Sequence, residues 1–187
     1  REILRDPNFW ALGLTIGLCF AVLTGVILNL HPYATDAGFD TSAGAFLLTI
    51  LAVSGICGKL AFGVLADRVS KRMLMGFAIA MLGSFLFVLL AHPSYGVLAA
   101  TAGLAGLAVG GFLPLWGALI GDCWGREAFA RVMGLMAPIM TPLTMAGTAL
   151  GIIYDRTGSY DLAFQISLGL LCLAAVCLAF LHPPRRA

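Results

Sequence analysis

Apolar residues run in long unbroken stretches along this chain, and the polar residues are bunched between them. Removing the charge clusters leaves apolar stretches at about 8–30, 41–65, 73–91, 95–120, 132–154 and 161–181. Each holds about 19–26 residues, and roughly 20 helical residues cross a bilayer core. The apolar character does not alternate, so the period-two pattern of membrane strands is excluded. One such run is compatible with a buried helix of a soluble protein. Six in succession predict six membrane-spanning helices in an all-α, membrane-embedded bundle over 1–187. The first run is not a signal peptide: it exceeds the usual ~7–15-residue apolar core, acid and base both precede it, and no small-residue cleavage site follows. The chain opens at Arg1 without a Met and reads as a piece of something longer.

Composition agrees with this picture. Residues of the set AVILMFWYC make up 60% and charged residues 11%, with mean hydropathy +0.99, whereas soluble domains carry about 25% charged residues. Soluble globular and disordered classes are disfavoured, and a net charge of +2 is too small to argue for a nucleic-acid partner. Arg1, Arg5, Arg68, Lys71, Arg72, Arg126, Arg131, Arg185 and Arg186 fall on one side of the predicted spans. Arg156 stands alone on the other, and Lys59 lies inside the second span. The positive-inside rule then places both termini and the 2–3 and 4–5 loops in the cytoplasm, with Asp36, Asp40, Asp155 and Asp161 facing outward. The expected setting is the plasma or bacterial inner membrane, with the lipid bilayer as a partner.

The inventory of reactive groups does not suggest an enzyme. Cys19, Cys57, Cys123, Cys172 and Cys177 form no CxxC pair, and four of them lie within apolar spans, as packing cysteines do. His31, His92 and His182 lack ligand spacing. No Ser-His-Asp, HExxH or Gly-rich phosphate motif occurs, so no catalytic residue, metal or cofactor is expected. Lys59 stands out, because an ammonium at membrane depth is costly and should face a watery cavity, pair with an acid, or snorkel. Asp67 at the span end is eight residues away, about 12 Å along a helix. That is deep for a four-carbon stem, so substrate binding competes with snorkelling and a structural ion pair. Gly103, Gly106, Gly110 and Gly111 with Pro114 give span 4 a small face, suited to close packing or to a hinge. Pro138 and Pro142 with Gly147 and Gly151 allow span 5 to bend.

An internal repeat organises these segments. Gly63-Val64-Leu65-Ala66-Asp67-Arg68-Val69-Ser70 closes the second span, and Gly151-Ile152-Ile153-Tyr154-Asp155-Arg156-Thr157-Gly158 closes the fifth. Both read G-x-x-x-D-R-x-[small] at an offset of 88 residues, and the same offset carries span 1 onto span 4 and span 3 onto span 6. Three spans separate the copies, so they emerge on opposite membrane faces. That is an inverted 3+3 repeat, an architecture of alternating-access transporters.

At Gly63-Val64-Leu65-Ala66-Asp67-Arg68-Val69-Ser70-Lys71-Arg72 the chain resembles the loop signature of the major facilitator superfamily, roughly G-x-L-A-D-R-x-G-R-R. Ser70 and Lys71 are mild departures. The resemblance implies half of a twelve-helix transporter. The uncharged fourth span, the run Gly121-Asp122-Cys123-Trp124-Gly125 and the closing His182-Pro183-Pro184-Arg185-Arg186 resemble the C-terminal half. A missing N-terminal six-helix half, or a second copy, is then an implied partner, together with a small-molecule substrate. Arg5-Asp6-Pro7-Asn8-Phe9-Trp10, Pro32-Tyr33-Ala34-Thr35-Asp36-Ala37-Gly38 and Gly58-Lys59-Leu60-Ala61-Phe62-Gly63 are similar to the monocarboxylate and oxalate:formate carrier branches. These imply monocarboxylate symport, with Lys59 at the carboxylate. Where monocarboxylate carriers have an acid one turn earlier, this chain has Gly55. Spans 1 and 4 line the cavity in the family, which implies substrate-facing roles for Asn29, Tyr33, Phe112 and Trp116. Plain packing or an interfacial aromatic belt is the alternative. Gly63, Asp67, Arg68, Arg72 and Asp122 are implied as a conformational gate on the cytoplasmic side. An efflux carrier for apolar or cationic compounds, and a non-transporting membrane scaffold or receptor, are the competing readings.

Overall fold

A computed structural model describes residues 2–182, and every regular element among them is a helix. The basic closing residues Arg185 and Arg186, and Arg1 at the start, lie outside the described residues. After the single turn α1 (Glu2–Arg5), α2 (Pro7–Asp36) begins where the Asp6 carboxylate accepts the Asn8 amide at 2.9 Å, with Pro7 at the first helical position. Proline suits that position because its missing N–H would be unpaired there anyway. The apolar run predicted to end near residue 30 continues as helix through His31-Pro32-Tyr33 to Asp36. Polar residues end an apolar run without ending a helix, and Pro32 removes a backbone donor only in the last turns.

Then follow α3 (Thr41–Ala66), α4 (Lys71–Leu90), α5 (Tyr95–Ala146), α6 (Ala149–Thr157) and α7 (Asp161–Ala179). The predicted segments 95–120 and 132–154 both fall on α5 and α6. The polar stretch between them stays helical, since Glu127, Ala128, Ala130 and Arg131 are good helix formers. The chain reverses at Gly125 alone, with φ 77 and ψ 174, a backbone region that is essentially glycine-only. Phe129 packs back onto the preceding arm, its ring 3.8 Å from where a methyl at Gly117 would lie. The returning arm carries Pro138 and Pro142, stops at Ala146, and resumes as α6 after Gly147 and Thr148.

α2 is the most enclosed long helix, with 67% of its apolar window buried, and α3 the least, with 28%. Leu60, Met73, Phe77, Phe87 and Phe180 point outward from the bundle, each at least 60% exposed. Apolar side chains on that scale cannot face water around a stable monomer. With helices of this length and hydropathy, the chain is a multi-pass integral membrane protein. Asn8 clasps His182 reciprocally: the His182 amide donates to Asn8 Oδ1 at 2.8 Å, and Asn8 Nδ2 donates to the His182 carbonyl at 3.3 Å. Both ends of the bundle circuit are thereby held at one place.

Two backbone-to-backbone seams organise the interior. Gly55 and Gly58 of α3 face Gly106 and Gly110 of α5. A methyl at Gly110 would fall 2.9 Å from the Lys59 amide nitrogen, and one at Gly58 would fall 2.8 Å from Leu107 Cα. Small residues permit this approach, and close packing replaces the hydrophobic drive that lipid cannot supply. In the second seam Gly147 meets α2, where a methyl would fall 3.1 Å from the Gly25 amide nitrogen. The 88-residue offset relates the two: it exchanges span 2 with span 5 and span 4 with span 1, so the 2–4 seam maps onto the 5–1 seam.

Candidate functional site

The glycine seam sets the position of Lys59. Residues Gly44, Leu47, Leu51, Gly55, Gly58, Phe62 and Ala66 form the buried stripe of α3, and Lys59 stands on its flank, exposed. Its ammonium has no hydrogen-bond or ion-pair partner among the described residues. Contact with Gly110 puts it level with the middle of the first arm of α5, about 12 Å from the basic end of α3. On the other flank of α3, Phe46, Ile50, Val53, Cys57, Leu104 and Leu107 line an open apolar groove of about 560 Å³. At 3.6 residues per turn Cys57 and Lys59 point about 160° apart, so the charge is not in that groove.

Trp116 is 8% exposed and its indole Nε1 is buried without an acceptor among the described residues. The ring lines a second groove of about 390 Å³ between the two arms of α5, with Ala137, Met140, Thr141, Thr144 and Met145. Thr141 and Thr144 donate to the Ala137 and Met140 carbonyls of their own helix, at 2.9 and 2.8 Å. Their oxygens keep acceptor capacity. An unpaired buried N–H costs about 1–3 kcal/mol.

The other residues implied at the cavity are placed differently. Asn29 is buried, its Nδ2 donates to the Gly25 carbonyl at 2.8 Å, and it lies against Gly151. Tyr33 is buried, and its hydroxyl donates to the Leu89 carbonyl at 2.8 Å. It sits among His92, Tyr160 and Phe164. Phe112 is fully buried. The structure therefore does not bring Asn29, Tyr33, Trp116 and Lys59 to one surface.

At the basic end Asp122 is paired, and its partner is Lys71 at 2.8 Å rather than Arg68 or Arg72. Arg72 instead reaches across to α7 and donates to the Ala179 carbonyl at 2.6 Å, closing a helix C-terminus as a cation does. Asp67 is the C-terminal cap residue of α3 and, like Arg68, is exposed without an ion pair among the described residues. Gly63 lies in the last turn of α3, where a methyl would meet open space. Sequence reasoning missed Lys71 as the partner because the contact joins residues 51 apart, one at the start of α4 and the other on α5.

Comparison with known proteins fits this architecture. The family profile described as Major Facilitator Superfamily matches residues 10–187. The multidrug efflux pump Tap of Mycobacterium tuberculosis is 26% identical over 174 residues, covering 88% of this chain and 40% of that protein. Monocarboxylate transporter 12-B of Danio rerio is 26% identical over 171 residues, covering 89% and 36%. Monocarboxylate transporter 11 of Mus musculus is 27% identical over 150 residues, covering 74% and 33%. The chain thus spans two fifths or less of the length of these relatives. With a bundle of long apolar helices and a family match running almost end to end, the chain belongs to the Major Facilitator Superfamily.

Proposed function

We propose that this chain supplies one half of a secondary transporter that moves a small organic anion, such as a monocarboxylate, by alternating access. The observation that carries the reading is Lys59: an exposed ammonium at membrane depth, on the least buried helix, with no acid near it among the described residues. A charge so placed is stabilised by water in a cavity or by an anion. The basic end faces the cytoplasm, and Asp67 with the Gly63–Arg72 loop closes that side against the remaining half of the protein. The similarity to monocarboxylate transporters supports the substrate class. The apolar groove of Phe46, Ile50, Val53 and Leu104, with the similarity to Tap, supports a second reading, efflux of apolar or cationic compounds.

Full-length protein reconstituted in vesicles separates these readings. Labelled lactate uptake should exceed that of empty vesicles, fall about tenfold or more in affinity with Lys59→Gln, and survive in part with Lys59→Arg, whose charge is kept but whose geometry differs. Thermal stability of Lys59→Gln should stay near wild type, since no buried acid is left unpaired. A well-folded Lys59→Gln protein with unaltered anion affinity would remove the carboxylate role. Movement of a lipophilic cation without lactate uptake would favour efflux.

A further inference from the structure

A cleft opens between the start of α4 and the end of α7, on the outer surface of the bundle at its basic end. Ser70, Arg72 and Met73 line one wall and Ala175, Leu178 and Ala179 the other, around about 500 Å³. The two helices run antiparallel. A methyl at Gly76 would lie 3.7 Å from Leu178, and seven residues further along α4 one at Gly83 would lie 3.8 Å from Leu171, seven back along α7. Ala175 and Ala179 share one face of α7, a turn apart, and both are exposed. Their short side chains leave α7 shallow where a longer residue would fill the gap. α4 has 20 residues, about 30 Å of helix, which matches the hydrocarbon core of a bilayer. Its first turn, and with it the polar mouth of the cleft, therefore stands at headgroup level.

The mouth is positive and has no counter-charge of its own. α4 opens on Lys71 and Arg72 with no acid in its first turn, although a helix start is itself partly positive and favours anions. Asp122 answers Lys71. Arg72 pairs with no carboxylate among the described residues. One of its N–H groups donates to the Ala179 carbonyl at 2.6 Å, which leaves most of its donors free. Ser70 stands at the N-cap position without a side-chain cap hydrogen bond, so its hydroxyl is free to turn toward the cleft it lines. Leu74 is the first amide of α4 to find a backbone acceptor, the Ser70 carbonyl at 3.0 Å, as expected where a helix begins. Past the mouth the surface turns apolar, and Met73, Phe77, Val176 and Phe180 are all exposed along it.

A molecule with a compact anionic head and an apolar tail answers both parts of this surface, and a bilayer supplies such molecules at this level. We propose that the α4–α7 cleft binds an anionic phospholipid, its phosphate held by Arg72 and Ser70 and an acyl chain lying over Met73 and Ala175. The guanidinium suits that head because its planar fork matches phosphate oxygens. A zwitterionic phospholipid is a poorer match, since its own ammonium offsets the phosphate charge. A free phosphate ester lacks the chain that the apolar part of the cleft would cover. Lys59, on α3, takes no part.

The test uses full-length protein in phosphatidylcholine nanodiscs doped with phosphatidylglycerol whose acyl chain carries a diazirine photolabel. Label should concentrate on residues 73–77 and 175–180. Unlabelled phosphatidylglycerol in tenfold excess should remove most of it, and glycerol phosphate in the same excess should not. Arg72→Gln should lower labelling several-fold. Ala175→Phe, which fills the cleft and keeps the charge, should do the same. Arg131→Gln, which removes an exposed charge on α5, should change it less than twofold. Labelling of the wild type spread evenly over the outward-facing helices overturns the proposal without recourse to any variant. So does equal labelling by a diazirine phosphatidylcholine, or displacement by glycerol phosphate, which would mark a soluble-anion site instead. A folded Arg72→Gln or Ala175→Phe protein that labels like the wild type overturns it as well.

Discussion

Lys71 and Asp122 hold each other at 2.8 Å with about a quarter of each side chain still exposed. Exposed pairs contribute about 0.2–1 kcal/mol, and partial burial places this one near the top of that range. A double-mutant cycle of Lys71→Gln and Asp122→Asn in the full-length protein should therefore give a coupling of about 1 kcal/mol in thermal unfolding. Arg68→Gln combined with Asp122→Asn should be additive, because no contact joins that pair. Tyr160 gives a pH signature. Its pKa rises from the ordinary tyrosine range near 10 to about 12, because burial and the Asp36 charge both disfavour the phenolate. The unfolded chain ionises first, so this stability is full below about pH 10 and is lost as the pH climbs toward 12. Tyr160→Phe cannot ionise, and the gap between its unfolding midpoint and that of the wild type should shift in its favour between about pH 10 and 12. Parallel curves would contradict the assignment. At this scale the sequence was legible where chemistry alone decides, as with a lone lysine inside an apolar run. It was illegible where the facing helix decides: nothing in the local sequence says that Tyr33 turns toward Leu89 and Phe164, or Asn29 toward Gly151.

Helices were legible in their apolar cores because a bilayer demands about 20 apolar residues per crossing. Their ends were not, since lipid requires apolar side chains only within the hydrocarbon layer, and backbone bonding continues beyond it. That is why α2 passes through Pro32, and why the stretch before and after Gly125 is helix where a loop was expected. Gly125 itself is a sharp test. A methyl there meets nothing within 4 Å, so Gly125→Ala adds no clash and registers pure backbone strain, about 1–3 kcal/mol. Gly110 tests the opposite effect, since its backbone conformation is ordinary and its space is not. Gly110→Leu should drive α3 from α5 and lower stability by about 1–3 kcal/mol or more through overpacking. Thermal unfolding of both variants, with Gly96→Ala as a control in open space, distinguishes strain from crowding. The glycines of span 4 were visible as a small face, but the choice between packing and hinge needed the partner: Gly106 and Gly110 lie against α3 and leave no free volume at the contact.

For the whole molecule, the 88-residue offset read from a four-position match relates the two close-packed glycine contacts, Gly110 against α3 and Gly147 against α2. The surroundings of the residues proposed to meet a solute were not legible in the sequence, because Asn29, Tyr33 and Phe112 are buried by contacts that only the packed bundle shows. The most exposed long helix, α3, carries the one intramembrane lysine, and this has an electrical consequence. An ammonium about 12 Å inside the end of α3, with no counter-charge paired with it among the described residues, lies within the membrane field. Each 100 mV acts on a unit charge with about 2.3 kcal/mol over the full drop, and proportionately less over part of it. If the proposed alternating access turns Lys59 of the empty protein from one aqueous side to the other, it displaces charge. On the proposed reading a monocarboxylate held against the lysine makes a neutral pair, on which the field has little hold. A voltage step on full-length protein in a planar bilayer should therefore evoke a transient capacitive current. That current should shrink as lactate saturates the site and be absent in Lys59→Gln. The return of the empty carrier, rather than the loaded crossing, would then set how membrane potential governs turnover.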